Sequence, residues 1–397
     1  MFKRNKNKPK TIGIDARLYG PLAKGLGRYT QETVDNIIKI DKLNKYVIFL
    51  CKENFDELII GEGNENVKKV LVDIKWYSLR EQIFFPYYIF RENVDLMHFT
   101  HFNVPIFCPT KFIVTIHDLI LTKFKTPRAT TLSPILYNLK YFFYRLTIKS
   151  ALKRSEKIIA VSDFTKNDII NQFKIGSDKI ERIYEGVSNL TRGSDSLFVA
   201  KLNKDEILND YNITIPFLLY VGNAYPHKNL EFLLESFLDF INEENDLKLV
   251  LVGKEDYFYK RLKKYSEDLV LSKGLKRNPF IFTSYVPDNE LEILYQKALA
   301  YIFPSLYEGF GLPPLEALFN SCPVLSSDAA SMPEILGNSA LYFKSGEKDD
   351  FLSKLKIIIE DEDLRKDLIV NSKQVLKRYN WWESAHSTYK VYLDLLN

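Results

Sequence analysis

Residues 304–317 read PSLYEGFGLPPLEA, and the two carboxylates in that run, Glu308 and Glu316, stand eight positions apart around glycines and a pair of prolines. Gly309 and Gly311 can take backbone angles closed to other residues, while Pro313 and Pro314 suit the first turn of a helix but not its interior. The order predicts a helix beginning near Pro313. The apolar run ALAYIFP at 298–304 has the length of a buried strand, so the unit reads strand, glycine loop, helix. Free N–H groups at such a helix start, approached over glycines, favour a phosphate or an oxygen-rich sugar. Glu308 then lies in the loop and Glu316 in the first helical turn, where they serve different parts of one ligand rather than act as a facing acid and base. A glutamate in a first turn also suits the helix dipole, and for Glu316 both readings stand. Glu308 precedes the glycine and caps nothing.

Three further stretches place polar residues just after apolar runs. GPLAKGLGRYTQE follows TIGIDARLY and sets Gly25 and Gly27 in a glycine loop opening a helix; His117 and Asp118 follow FIVTI; NAYPHKN, with Asn223, His227 and Lys228, follows FLLYVG. His117 fits either a satisfied histidine at a strand end or a site residue. Lys228 is a cation at the positive end of a helix, which is costly unless an anion shares the site, and this points to a bound phosphate.

The elements needed to position these residues follow from the hydrophobic rhythm. Short β-rich runs alternate with amphipathic segments in both halves: TIGIDAR, KYVIFLC, VDLMHFT, FIVTIHD and KIIAVS, then FLLYVG, LKLVLVG, PFIFTSYV and ALAYIFP. Such alternation predicts α/β domains with parallel sheets and right-handed crossovers. The polar stretch around 186–213 breaks the rhythm, which divides the chain into 1–195, a linker at 196–213, a second domain at 214–380 and a terminal helix at 381–397. Ligands of doubly wound sheets bind outside the carboxyl ends of the strands, so two facing domains predict a cleft.

Composition narrows the function. At 397 residues, 46% hydrophobic and 27% charged, the chain is long enough for two full cores and is not disordered. The net charge of +4 does not by itself signal nucleic acid, and the basic start MFKRNKNKPK reads as a solvated tail. Cys51, Cys108 and Cys322 neither pair by spacing nor form a zinc pattern, which suits a reducing compartment. No signal peptide precedes TIGIDAR and no apolar stretch reaches a membrane span, so the expectation is a cytoplasmic protein or one on a membrane surface. A dinucleotide fold is disfavoured, because Thr30 stands where its third glycine belongs and KYVIFL leads to Cys51 rather than an acid. Asp361-Glu362-Asp363 reads as a helix start, not a metal triplet.

Together these residues resemble the retaining glycosyltransferases of family four, which have the GT-B fold of two Rossmann-like doubly wound domains facing a cleft. The resemblance runs through GIDARLYGPLAKGLGRYTQE, VTIHDLI, IIAVSDFTKNDI, LLYVGNAYPHKNLEFLLESF, VPDNELEILYQKA and PSLYEGFGLPPLEALFNSCPVLSSDAASMPEI. Its most specific element is the paired-glutamate motif, matched by Glu308 and Glu316. The resemblance implies that the C-terminal domain binds a nucleotide sugar and the N-terminal domain presents the acceptor. Glu308 would bind hydroxyls of the transferred sugar, and Glu316 the ribose. The backbone at Gly309, Phe310, Gly311 and Leu312 would approach sugar and phosphate. Lys228 would neutralise the diphosphate, helped by Gly25 and Gly27, and His117 would contact the sugar near the reacting centre. Family members often carry an arginine just before this lysine; here Asn223 and His227 occupy those places, so the diphosphate leans on Lys228. No metal, no cofactor and no protein general base is implied. The wording is similar to bacterial mannosyltransferases of surface polysaccharides, implying GDP-mannose as donor, with a UDP-hexose second, and a glycan or lipid-linked saccharide as acceptor. A sugar-nucleotide epimerase and a non-catalytic sugar-nucleotide binder share this two-domain plan.

Two aromatic and basic stretches, WYSLREQIFFPYYIFREN and LSPILYNLKYFFYRLTIKSALKRSEK, fit core helices or a membrane-facing surface. Arg145, Lys149 and Lys153 recur every four residues along the second, and a buried helix with one solvated stripe is the reading preferred from sequence.

Overall fold

The computed structural model describes residues 8–124, 133–187, 203–241 and 246–396. Most of the basic tail and residues 188–202 of the expected linker region lie outside the described residues. The chain divides into two compact units, Met1–Gly186 with Tyr379–Asn397, and Val187–Arg378.

The first unit is built on a parallel sheet of β1 (Thr11–Asp15), β2 (Lys45–Leu50), β3 (Val67–Leu71), β4 (Leu96–Phe99), β5 (Lys111–Ile116), β6 (Lys157–Ala160) and β7 (Ile180–Arg182), in the order 3-2-1-4-5-6-7. Period-two alternation sends its apolar residues to both faces, as a sheet covered on two sides requires. On β2, Tyr46, Ile48 and Leu50 join one cluster with Ile12, Ile14 and Val34, while Val47 and Phe49 join the other with Phe85, Phe99 and Ile148. The terminal helix Trp381–Leu396 packs beside the helix Lys24–Ile40 on the first of these faces.

The second unit repeats the plan with β8 (Phe217–Val221), β9 (Lys248–Val252), β10 (Phe280–Ser284), β11 (Ala300–Phe303), β12 (Val324–Ser327) and β13 (Ala340–Phe343), in the order 10-9-8-11-12-13. Both sheets reverse direction of winding beside their first strand, between β1 and β4 and between β8 and β11. The crevice at such a reversal is where doubly wound sheets bind ligands.

β3, β7, β12 and β13 are not among the expected strands. β12 reads VLSS, and its serines are buried because each hydroxyl finds a carbonyl: Ser327 Oγ donates to Ser305 at 2.5 Å and Ser326 Oγ to Ser327 at 2.9 Å. Edge strand β3 carries Lys68 and Lys69, and Lys69 Nζ donates to the carbonyls of Phe55 and Leu58. The linker expected at 196–213 contains the helix Lys204–Asp210, which buries Ile207 against Ile293 of the second unit. A few apolar residues in a polar stretch were enough to dock it. Asp361 accepts the N–H of Leu364 at 2.8 Å and starts the helix Glu362–Val375.

Candidate functional site

In the second unit the loops after β8 and β11 meet. Beyond β8 the chain turns through Pro226–Lys228, and Asn229, with φ +59°, redirects it into the helix Leu230–Phe240. The N–H of Leu306, just past β11, donates to the carbonyl of His227 at 2.8 Å and locks the two loops together. Lys228 Nζ lies 2.5 Å from Glu308 Oε1, and both side chains are about nine-tenths buried. The ammonium also sits 5.3 Å from the centre of the Phe303 ring. Such a pair is held tightly, since separating it leaves one buried charge without compensation. Lys228, the cation that from sequence pointed to an anion at the helix start, has the Glu308 carboxylate beside it.

The glutamate loop is braced from behind. Ser331 Oγ donates to the carbonyl of Glu308 at 3.0 Å and, at 3.4 Å, to that of Phe310. Gly311 holds φ +93°, a backbone angle that calls for glycine, and a Cβ there would stand 2.5 Å from Met332 Cε and displace the end of that side chain. The helix Leu312–Phe319 follows with Pro313 and Pro314 in its first turn; Glu316, expected in that turn, stands half-buried just past it, because the helix begins at Leu312. The Tyr301 hydroxyl donates to the carbonyl of Val221 at 3.1 Å. Burial pushes its pKa well up, and the charges of Tyr295, Glu316 and Glu308 add to this, so both glutamates act on the same hydroxyl.

The two residues standing where an arginine was expected carry no cation. Asn223 braces its own loop, its carbonyl accepting from Tyr220 Oη at 2.7 Å and its Oδ1 from the N–H of Tyr225 at 3.4 Å. His227 stacks at 6.1 Å on Tyr225, and burial pushes its pKa down to about 4 despite the nearby charge of Glu308. It is neutral at pH 7.

In the first unit the ends of β4, β5 and β7 converge on His117. Its Nε2 lies 2.9 Å from the carbonyl oxygen of Thr100, and its Nδ1 lies 2.7 Å from Glu185 Oε1. A carbonyl only accepts, so Nε2 carries a proton. The rings of Tyr29 and His117 meet in a T, their centres 4.6 Å apart. Burial alone would lower the pKa of His117, but the hydrogen bond and charge of Glu185 outweigh it and raise the value. Glu185 was not among the expected site residues; its only trace in the sequence is an acid in IYEG, three residues beyond a very short strand.

The glycine loop expected at Gly25 and Gly27 is a correction. The chain enters a short turn at Pro21–Ala23 and the helix Lys24–Ile40 is already under way at both glycines. Gly25 is exposed, whereas a Cβ on Gly27 would lie 1.9 Å from the carbonyl oxygen of Gly20. Gly27 is small so that the helix can close on the preceding turn.

A buried cluster beside β1 was also unforeseen. Arg17 Nη2 contacts Asp15 Oδ2 at 2.7 Å and Glu81 Oε1 at 2.6 Å, its guanidinium lies 4.1 Å from the Phe85 ring, and Asn103 donates to Glu81 Oε2 at 2.5 Å. One guanidinium there faces two carboxylates, and burial, with the charge of Asp15 adding to it, raises the pKa of Glu81. Among the described residues no group of three or more His, Cys, Asp or Glu is placed to hold a metal ion.

Both units match known families. The family Glycosyl transferases group 1 matches residues 203–375, which hold Lys228, Glu308 and Glu316, and Glycosyltransferase Family 4 matches residues 62–189, which hold His117 and Glu185. The chain belongs to these glycosyltransferases. This glycosyltransferase is similar to the O-antigen chain mannosyltransferase RfbU of Salmonella typhimurium, 29% identical over 71% of this chain and 68% of that protein. It is 26% identical to O-antigen chain mannosyltransferase B of Escherichia coli, over 70% of this chain and 69% of that one. Among solved structures, the sucrose-phosphate synthase of Thermosynechococcus elongatus superposes with a TM-score of 0.73 at 18% identity, covering 98% of this chain and 99% of that one. HepE of Anabaena, in complex with UDP and glucose, does so with 0.68 at 16%, over 96% of this chain and 99% of that one. The glycosyltransferase has the GT-B fold.

Proposed function

We propose that the protein transfers a mannosyl group from GDP-mannose to a glycan or lipid-linked saccharide in surface polysaccharide synthesis. Transfer proceeds with retention and without a metal, on the cytoplasmic side of a membrane that the enzyme contacts peripherally. The buried pair of Lys228 and Glu308 at the converging strand ends carries this reading, and the similarity to O-antigen mannosyltransferases supports the choice of sugar.

The pair is the right equipment for a donor whose sugar–phosphate bond breaks. Negative charge then grows on the diphosphate and positive character on the sugar ring. When the donor enters, Lys228 turns its ammonium to the diphosphate and Glu308 accepts hydroxyls of the sugar, so each charge exchanges one partner for another. Glu316 takes the ribose hydroxyls. A positioned donor facing developing charge is worth about 3 kcal/mol in comparable sites. The acceptor hydroxyl attacks the anomeric carbon on the face from which the diphosphate departs, and its proton passes to the departing phosphate oxygen. The products are a nucleoside diphosphate and a glycoside of unchanged anomeric configuration.

A thermal-shift panel of GDP, UDP, ADP and NAD with their common sugar conjugates tests the donor. A ligand at a hundred times its dissociation constant adds about 2.7 kcal/mol to the native state, enough for a readable shift. A selective rise with GDP and GDP-mannose is expected. A rise with UDP conjugates instead would keep the enzyme class and replace the sugar, as would suit the fold shared with HepE bound to UDP and glucose.

A further inference from the structure

The two aromatic, basic segments of the first unit do not bury their apolar faces. On the helix Leu79–Arg91, the inward side is Glu81, Phe85 and Ile89, whereas Leu79, Ile83, Tyr87 and Phe90 face out. Their spacing of i, i+4, i+8 and i+11 makes one continuous stripe. On the helix Pro134–Arg154, only the last turns carry buried residues, Thr147, Ile148, Ala151 and Leu152. Earlier, Tyr137, Tyr141 and Tyr144 are partly buried, while Ile135, Leu136, Leu139, Phe142, Phe143 and Leu146 form a stripe on the opposite side, with Ile135 82% exposed. This overturns the buried helix preferred from sequence.

Both helices lie over the same side of the sheet, since Phe85, Ile89, Ile148 and Leu152 share one cluster. The loop after β4 ties them together: the N–H of Ile106 donates to Gln82 Oε1 at 2.9 Å, and Arg154 Nη2 donates to the carbonyl of Cys108 at 3.1 Å. Between these two anchors Phe107 stands 80% exposed. Apolar stripes of this size on a folded unit mark a docking surface rather than ordinary surface scatter.

Charge selects the occupant. The helix Pro134–Arg154 carries Lys140, Arg145, Lys149, Lys153 and Arg154 and no acid. On Leu79–Arg91 the basic residues Arg80 and Arg91 are exposed, and the helix's acid, Glu81, is buried on Arg17. A second copy of the chain seated on this surface would bring the same cations face to face. An anionic bilayer accepts the stripes among its acyl chains and the flanking cations among its headgroups. No helix among the described residues is long and apolar enough to cross a membrane, which leaves attachment in the plane of the interface.

We infer that the outward stripes of Leu79–Arg91 and Pro134–Arg154, with Phe107 between them, are the surface by which this protein lies on an anionic lipid membrane. The inference rests on the peripheral attachment proposed above and names its site and its lipid chemistry.

Flotation with vesicles of phosphatidylcholine and with vesicles containing phosphatidylglycerol tests it, on the full chain and on the triple variant Leu139→Ser, Phe142→Ser, Leu146→Ser. The expected result is binding of the unmodified chain to the anionic vesicles only, and at least about tenfold weaker partitioning of the variant. The variant should keep its melting temperature and its nucleotide-induced thermal shift, because the three side chains are exposed. Undiminished vesicle binding by the variant would overturn the surface while leaving peripheral attachment standing. Failure of the unmodified chain to float with anionic vesicles would overturn both. A concentration-dependent dimer that the variant abolishes would instead make this face a contact between copies.

Discussion

Glu185 and His117 form a buried acid–imidazole pair at 2.7 Å, and the other imidazole nitrogen is bound to the carbonyl of Thr100. With Nε2 obliged to donate, Nδ1 can also donate only if His117 is an imidazolium facing a carboxylate. Both N–H groups are then spent on the protein. In that form, which the raised pKa favours, the ring carries a positive charge at the strand ends with no unused N–H.

Replacing Glu185 by Gln should drop the pKa of His117. His98, buried in the same unit without a carboxylate, is pushed down to about 3 by burial, with the charge of His117 adding to the effect. An NMR titration of the His117 ring should show a value above about 6.5 in the unmodified protein and below it in Glu185→Gln. A titration unchanged by the substitution would mean that Glu185 does not hold the charge.

The same pair sets a pH dependence of stability. A histidine whose folded pKa is raised binds more protons in the native state, so its contribution is fully present below the unfolded value of about 6.5 and is lost as pH rises through the folded value. The excess stability of the unmodified chain over Glu185→Gln in urea unfolding should therefore shrink as pH rises from about 6 to about 9. His98, His101 and His227, with lowered pKa values, act in the opposite sense and raise stability with pH through the unfolded value of about 6.5, and the comparison with Glu185→Gln cancels them.

Lys228→Met and Glu308→Gln should each remove most transfer. Each should also destabilise the second unit, by as much as about 3–5 kcal/mol for Lys228→Met, which leaves the carboxylate buried and unpaired. The double variant should be more stable than the sum of the two singles implies, by about 0.5–3 kcal/mol, since the residues are in contact. Additive losses in denaturant titrations would separate the two side chains energetically.

Gly311→Ala should cost on the order of 1–3 kcal/mol, because alanine pays for the left-handed backbone and its methyl collides with Met332. The displaced loop should lose nucleotide-induced thermal shift. Gly346, with φ +83° but nothing within 4 Å of its added Cβ, is the matched control: Gly346→Ala should show the backbone cost alone and keep the nucleotide response.

Deleting the helix Trp381–Leu396 should unfold the first unit rather than trim it. Tyr392 reaches His98 Nδ1 at 2.6 Å from the far end of the chain, and its ring belongs to the same buried cluster as Ile12, Val34 and Ile48. Circular dichroism of the truncated chain should show a loss of helical signal and melting amplitude well beyond the sixteen deleted residues, with the second unit still melting; a loss no larger than the deleted helix would reduce it to an accessory.

Much of the fold was readable because parallel sheets write long signals. KYVIFL and KLVLV are continuous apolar runs buried on two faces, and PSLYEGFGLPPLEA spells strand end, glycine bend and proline-started helix with residues that have few other uses. VLSS and IER were not readable as strands, since their pairing depends on neighbours distant in the chain. The linker reading missed Lys204–Asp210 because Ile207 has meaning only beside Ile293. Glu308, Lys228 and His117 stood out as candidates by residue type and by their place just beyond apolar runs, whereas Glu316 and His117 were open to structural readings as well, and the roles given to all four came from the family resemblance. Sequence by itself determined two doubly wound domains and the strand ends that carry the polar residues, because periodicity and turn chemistry are local. Only the tertiary structure decided which charges meet: that Glu308 neutralises Lys228, that Glu185 fixes His117, and that the aromatic helices of the first unit face outward. Pairing and exposure depend on which distant segments stand within a few ångströms, and no local pattern encodes that distance.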